Sequence, residues 1–311
     1  MITISSEDAM IEHEVKFRSG DLNLAGTLSP PQDGSGTAVL LVTGSGPIDR
    51  DSNTKRMPLD VTCQIARHLA ENGIGSLRYD KRGVGDSDGS YKAAGFLDNV
   101  DDARAAMDFL RRQPGIQGDR VFIAGHSEGA LIAAAIAGGD DPPAGAALLA
   151  GSAQTGEQVL RRQAAMLPDL LPGWVQRLNK ILRVDVEKSQ LKRLAKLKAS
   201  QPDVLRMQGL VKVNAKWFRE FMAFDPSEFL KATTVPVLAL TGTDDSHVDP
   251  GDIALMQEQV QGPFQGQVIA GMNHILRTGG ASPTTYRKQL SEPTDPRVLE
   301  LLTAWIGDMT A

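Results

Sequence analysis

Gly125-His126-Ser127-Glu128-Gly129 follows the apolar run Arg120–Ala124 and precedes the alanine-rich run Ala130–Ala137. The first run is short and continuous, as in a strand buried on both faces, and the second reads as a helix. A serine with glycine two residues away on each side, set between strand and helix, fits the G-x-S-x-G turn. Glycine has no Cβ, so neighbouring backbone can pass close and the turn can be sharp. The hydroxyl of Ser127 is thereby pushed to the carboxyl edge of a sheet. The helix N-terminus beside it favours a developing negative charge.

The surrounding sequence supports that setting. Val15–Phe17 and Leu22–Leu28 flank Ser19-Gly20-Asp21 and read as a hairpin. Ala38–Val42 is a continuous apolar run ending in Thr43-Gly44-Ser45-Gly46-Pro47. Val61–Glu71 has helical periodicity and stops at Asn72-Gly73, a usual helix end. Ile74–Tyr79 is the next strand, followed by the glycine-rich loop Asp80–Gly89. Asn99–Arg112 is a helix and Gly145–Leu149 a strand. This alternation predicts an α/β protein, with a mostly parallel sheet and helices on both faces.

The rhythm breaks near residue 153 and resumes at Val235–Leu240. A helix at about 252–261, a short strand at 267–270 and a last helix at about 296–309 follow. Residues 153–232 show no clear strand. They read as several helices punctuated by Pro168, Pro172 and Pro202. The expected organisation is therefore a core of 1–152 and 233–311 with an inserted helical unit at 153–232. The insert holds 15 Lys and Arg against 8 Asp and Glu, a net charge of +7, whereas the rest of the chain carries −12.

The whole chain has 311 residues, 41% hydrophobic and 23% charged, with a net charge of −5. It is long enough to bury a large core, and its balance excludes both wholesale disorder and nucleic-acid binding driven by global charge. A single cysteine, Cys63, excludes an intrachain disulfide and a cysteine-based zinc site. It reads as a small core residue. No apolar run reaches the roughly 18 residues that would span a bilayer. Met1–Val15 lacks a basic start and an apolar centre, so no signal peptide is expected and the expected compartment is the cytoplasm.

A serine hydroxyl is a poor nucleophile until a base takes its proton. The histidines are His13, His68, His126, His247 and His274. His274 stands in Gly271-Met272-Asn273-His274, just past a strand, where sites on open α/β sheets gather. It is the preferred base, with His247 as its rival. His68 lies mid-helix, His13 is in the N-terminal arm, and His126 is anchored on the other side of the turn. A carboxylate is needed to orient the imidazole. Strand 235–240 ends in Thr241-Gly242-Thr243-Asp244-Asp245, which offers Asp244 or Asp245.

These residues, in the chain order Ser, Asp, His, resemble the α/β-hydrolase fold family. Gly44-Ser45-Gly46-Pro47-Ile48-Asp49-Arg50-Asp51 looks like a bacterial subgroup of serine esterases related to serine-aminopeptidase-like hydrolases. The resemblance covers most of the chain outside 153–232. The family's acid loop falls on Gly242, Asp245 and Val248, which selects Asp245, and its Gly-x-x-His ending falls on Gly271 and His274. Thr43-Gly44 stands where the family usually has His-Gly. The resemblance further implies an oxyanion hole built from the backbone N–H of Glu128 and of Ser45, with Gly46 as the alternative. It makes 153–232 a helical cap over the site. The loop Arg78–Ser87 is structural in the family.

The implied activity is hydrolysis of carboxylic esters through an acyl-enzyme on Ser127, with a small-molecule acyl ester as partner and with no metal or other cofactor. Trp217, Phe218, Phe221 and Phe224 share one helix face. That face either packs on the body or, through Trp217, Phe221 and Phe224, lines an acyl pocket. Lys188, Lys192, Arg193, Lys196 and Lys198 form either a solvated face or an attractor for an anionic substrate such as a coenzyme A thioester. An acyl thioesterase, an aminopeptidase and a non-catalytic ligand-binding relative are the competing functions. The aminopeptidase would need a carboxylate for the substrate's α-amine, and the acids of the insert do not cluster. The non-catalytic relative would be expected to lack a member of the Ser, Asp, His set.

Overall fold

The computed structural model describes residues 10–55, 57–207, 211–280 and 288–310. Its centre is β5 (Val121–His126), buried along its whole length because both faces of the sheet are covered. Alternation sends Val121 and Ile123 into one core and Phe122 and Ala124 into the other. Around it stand β1 (His13–Ser19), β2 (Leu22–Ser29), β3 (Ala38–Val42), β4 (Gly75–Tyr79) and β6 (Ala146–Leu149). The hairpin β7 (Val204–Met207) and β8 (Val211–Asn214) lies apart from them. β9 (Val237–Gly242) and β10 (Phe264–Ile269) complete the sheet, in the order β1-β2-β4-β3-β5-β6-β9-β10. The β1–β2 and β2–β4 pairings run antiparallel, and the remaining pairings, from β4–β3 to β9–β10, are parallel.

Helices cover both faces. α1 (Val61–Glu71) and the last helix, α10 (Pro296–Thr310), bury Ile65, Leu69, Leu302 and Trp305 on one side. On the other side α2 (Phe96–Arg111), α3 (Glu128–Ala137) and α9 (Asp252–Gln259) enclose the second core. Between β6 and β9 lie α4 (Gly156–Leu170), α5 (Gly173–Ile181), α6 (Val186–Lys198), α7 (Ala215–Ala223) and α8 (Pro226–Leu230). α4 starts where it does because Thr155 and Gln158 cap each other reciprocally.

The insert differs from the sequence reading in two ways. It contains the β7–β8 hairpin, whose strands pair Val204 with Asn214 and Met207 with Val211. Each strand has four residues, of which only Val213 is buried, too short an alternation to read as a sheet. Pro168 sits inside the last turn of α4, where its missing N–H costs one bond to the preceding turn and its carbonyl still accepts from Leu171; Pro172 is the N-cap of α5. The insert has a small apolar cluster of its own, Leu197, Val213, Ala215 and Met222. Phe221 and Phe224 join the main core against Phe96.

Candidate active site

Ser127 joins β5 to α3 with φ 57° and ψ −117°, a backbone region that residues other than glycine seldom occupy. The flanking glycines make that turn possible. A Cβ on Gly125 would lie 1.9 Å from the Gly129 carbonyl, and one on Gly129 would lie 2.2 Å from that of Val42. The N–H of Ser127 donates to Leu149 at 2.9 Å, locking the turn onto β6. Its hydroxyl faces the opposite way.

The Ser127 Oγ lies 2.9 Å from Nε2 of His274, in the loop after β10. Nδ1 of His274 lies 2.9 and 3.1 Å from the two oxygens of Asp245, in the loop after β9. A proton on Nδ1 satisfies Asp245 and leaves Nε2 to accept from the serine. Asp245 Oδ1 also accepts from the N–H groups of His247 and Val248. Burial pushes the Asp245 carboxyl upward, but His274 and these N–H donors outweigh it and hold it below its ordinary value. Asp244 instead accepts from the Thr243 hydroxyl at 3.0 Å.

Two further histidines flank His274. His126 Nε2 bonds to the His274 carbonyl at 2.7 Å, fixing the loop that carries the imidazole. His247 stacks on His274, with ring centroids 4.3 Å apart. Burial pushes both down to about 4, so both are neutral at pH 7. Among the described residues, Asp245, His247 and His274 form one group spaced to hold a metal ion. In the observed arrangement its Asp–His pair is engaged in the hydrogen bond to Nδ1.

The backbone N–H groups of Ser45 and Glu128 have no acceptor within the described chain. Both residues line a cavity of about 40 Å³ together with Ser127, Trp217, Phe221 and His274. Gly46 does not line it. Phe224 does not either: it packs against Phe96 and Phe229 at 4.6 and 5.3 Å, which corrects its expected place in a substrate pocket. Helix α7 ends at Ala223, so Phe224 leaves the face shared by Trp217 and Phe221.

Sequence reading missed the support beneath the turn. The buried carboxylate of Glu128 accepts from Lys81 at 2.9 Å, from Asn99 at 3.1 Å and from the indole of Trp217 at 2.8 Å. Lys81 also donates to the Gly44 carbonyl at 2.6 Å. The loop after β3 is further held by Arg50, whose backbone and guanidinium both bond Asp80. The signal for Lys81 and Glu128 was two charged residues beside apolar strands, but nothing local paired them across the chain. Cys63 is half-buried on α1, and burial pushes its thiol up to about 11, consistent with an unreactive residue.

A serine in a strand–turn–helix on the central strand, hydrogen-bonded in series to a histidine and a carboxylate from loops after later strands, is the arrangement of an α/β hydrolase. The chain belongs to the serine aminopeptidase, S33, family, whose model matches residues 59–278. No curated protein sequence matches it. Among solved structures it is similar to Est1E from Butyrivibrio proteoclasticus bound to ferulic acid, at 20% identity and a TM-score of 0.59, over 94% of this chain and 96% of that one. It is similar to the proline iminopeptidase of Mycobacterium smegmatis, at 16% identity and a TM-score of 0.62, over 96% and 99%. It is also similar to the Pyrococcus furiosus esterase Pf2001, at 14% identity and a TM-score of 0.63, over 99% and 94%. Among the described residues, no helix is long and apolar enough to cross a membrane.

Proposed function

We propose that this hydrolase cleaves carboxylic esters through an acyl-enzyme on Ser127. His274 takes the serine proton and returns it to the leaving alcohol, and Asp245 orients and stabilises the imidazolium. The N–H groups of Ser45 and Glu128 receive the oxyanion. Water activated by His274 then releases the acid. The observation that carries this reading is the Ser127–His274 contact of 2.9 Å, with Asp245 on the far side of the ring. The cavity lining supports Ser45 over Gly46 as the second donor.

Residues 153–232 act in this reading as a cap that sets acyl preference, with Trp217 and Phe221 against the reacting centre. Among the residues lining the small cavity, Glu128 carries the carboxylate, and it is occupied by Lys81, Asn99 and Trp217. That leaves it poorly placed to hold a substrate's α-amine, which favours esters over aminopeptidase substrates.

The test is labelling with a fluorophosphonate probe, followed by a panel of nitrophenyl esters, acyl thioesters and aminoacyl nitroanilides. Ester turnover and labelling that both vanish in Ser127→Ala are expected. Labelling that survives in Ser127→Ala removes the assignment, and faster turnover of nitroanilides or thioesters reassigns the substrate class.

A further inference from the structure

Helix α5 has no buried residue. Trp174, Leu178 and Ile181 recur on one face at i, i+4 and i+7, and Leu182 extends it. Trp174 is 70% exposed, Ile181 76% and Leu182 61%. Eleven large apolar side chains stand exposed among the described residues, and five of them fall between 174 and 184. The other six are scattered, as single surface apolar residues ordinarily are. At helical spacing Arg177 flanks that face beside Ile181, Lys180 lies further round the helix, and Arg183 follows it, all three exposed. From 169 to 198 there are eight Lys and Arg against three acids, Asp169, Asp185 and Glu187.

An exposed apolar face bordered by cations is the pattern of a helix that lies in a lipid interface. Charge decides the occupant. Two copies meeting through this face would bring their cations together, whereas an anionic lipid surface complements both the cations and the apolar face.

The helix that leads into this face, α4, lines an apolar cavity on the side of Ser127. A cavity of about 330 Å³ between α4, α6 and α7 is lined by Met166, Leu167, Leu170, Leu194 and Phe218. Leu160 and Gln163 line both this cavity and the smaller one at Ser127. Leu170 ends α4 immediately before the turn into α5.

We infer that the apolar face of α5 docks the cap on an anionic lipid surface, with the α4–α6–α7 cavity beside it, so that acyl esters reach Ser127 from the lipid phase. The supply of esters rests on the proposed esterase reading; the docking does not.

The experiment is co-sedimentation of the full chain with phosphatidylglycerol-containing vesicles and with pure phosphatidylcholine vesicles, at low and high salt. Tryptophan emission is recorded alongside, because Trp174 is the exposed indole while Trp305 is buried and Trp217 packs on the core. Binding to the anionic vesicles with a blue shift is expected, weakened by salt. Ile181→Glu, and separately Arg177→Glu with Lys180→Glu, should each lower the partition coefficient by about tenfold or more. Both variants should keep wild-type turnover of a water-soluble acetyl ester, since neither alters the site.

No binding to anionic vesicles, or binding that these variants leave unchanged, overturns the docking. So does a stable dimer in sedimentation velocity that Ile181→Glu dissociates. Vesicle binding requires no turnover, so a chain that docks but proves inert toward esters fails the functional reading and not the docking.

Discussion

Lys81 holds the carbonyl of Gly44 at 2.6 Å from one side of the Gly125–Gly129 turn. The carbonyl and the following N–H belong to one planar peptide and point in opposite directions. The same contact therefore turns the Ser45 N–H away from Lys81, toward the cavity it shares with Ser127. The charge on Lys81 is balanced by Glu128, whose own N–H is the other proposed oxyanion donor.

Lys81→Met should consequently lower kcat while leaving KM for a small ester nearly unchanged. Loss of a whole oxyanion donor costs about 10²–10³ in kcat, so a misoriented one should cost about tenfold or more. The single variant also leaves the Glu128 carboxylate without its buried cation and should lower the melting temperature. Lys81→Met with Glu128→Gln should recover stability but not kcat. Steady-state kinetics beside thermal melts separate the two effects, and a double variant that recovered both would reduce Lys81 to a structural role.

Asp245→Asn should lower kcat by roughly 10⁴-fold, since the amide no longer fixes the imidazole tautomer. Asp244→Asn should change kcat far less, because that side chain bonds Thr243 and not His274. Kinetics of the two purified variants on one nitrophenyl ester check the ranking. The reverse order would mean the acid is misassigned.

Phe221, Phe224 and the larger cavity should respond differently to substitution. Phe224→Ala removes a core ring and should cost about 3–5 kcal/mol of stability, scaling all esters down together if at all. Leu167→Trp fills the α4–α6–α7 cavity and should shift preference toward short acyl chains. Phe221 lines the small cavity and also packs on Phe96, so Phe221→Ala should change both quantities. Profiles of kcat/KM across ester chain length, read with melting temperatures, distinguish the three.

Stability should decline as the pH falls from about 6.5 toward 4. His126 and His247 are held near 4 in the folded protein against an ordinary 6.5. In that window the unfolded chain binds more protons than the folded one, so folding loses free energy as pH falls and is fully supported above it. Asp245, held below 3.8, adds its own loss only at still lower pH. Melting curves from pH 7 to pH 4 measure the slope. His247→Asn should flatten it, and an unchanged slope would mean that this histidine is not the neutral buried group described.

The central elements were readable because their causes are local. The Gly125–Gly129 turn carries its steric requirement in adjacent residues, and Ala38–Val42 is apolar throughout because both its faces are covered. The strand seen as 267–270 begins at Phe264, since its exposed edge residues Gln265 to Gln267 gave no apolar signal. The His274 loop was legible from its place after that strand. The contacts of Lys81 with Glu128, and of His126 with the His274 carbonyl, join distant segments and depend on a sheet order that no short window contains. Phe224 was misplaced because helical spacing was extended one residue past the true end of α7.

The indole of Trp217 ends on the carboxylate of Glu128. A lid that merely rested on the body could be exchanged for another by recombination, leaving the chemistry beneath untouched. Here the exchange would strip a hydrogen bond from the residue next to Ser127 and expose the Lys81 pair. A successful chimera must bring its own donor to the same position, so the inherited unit is the insert together with Lys81, Asn99 and Glu128.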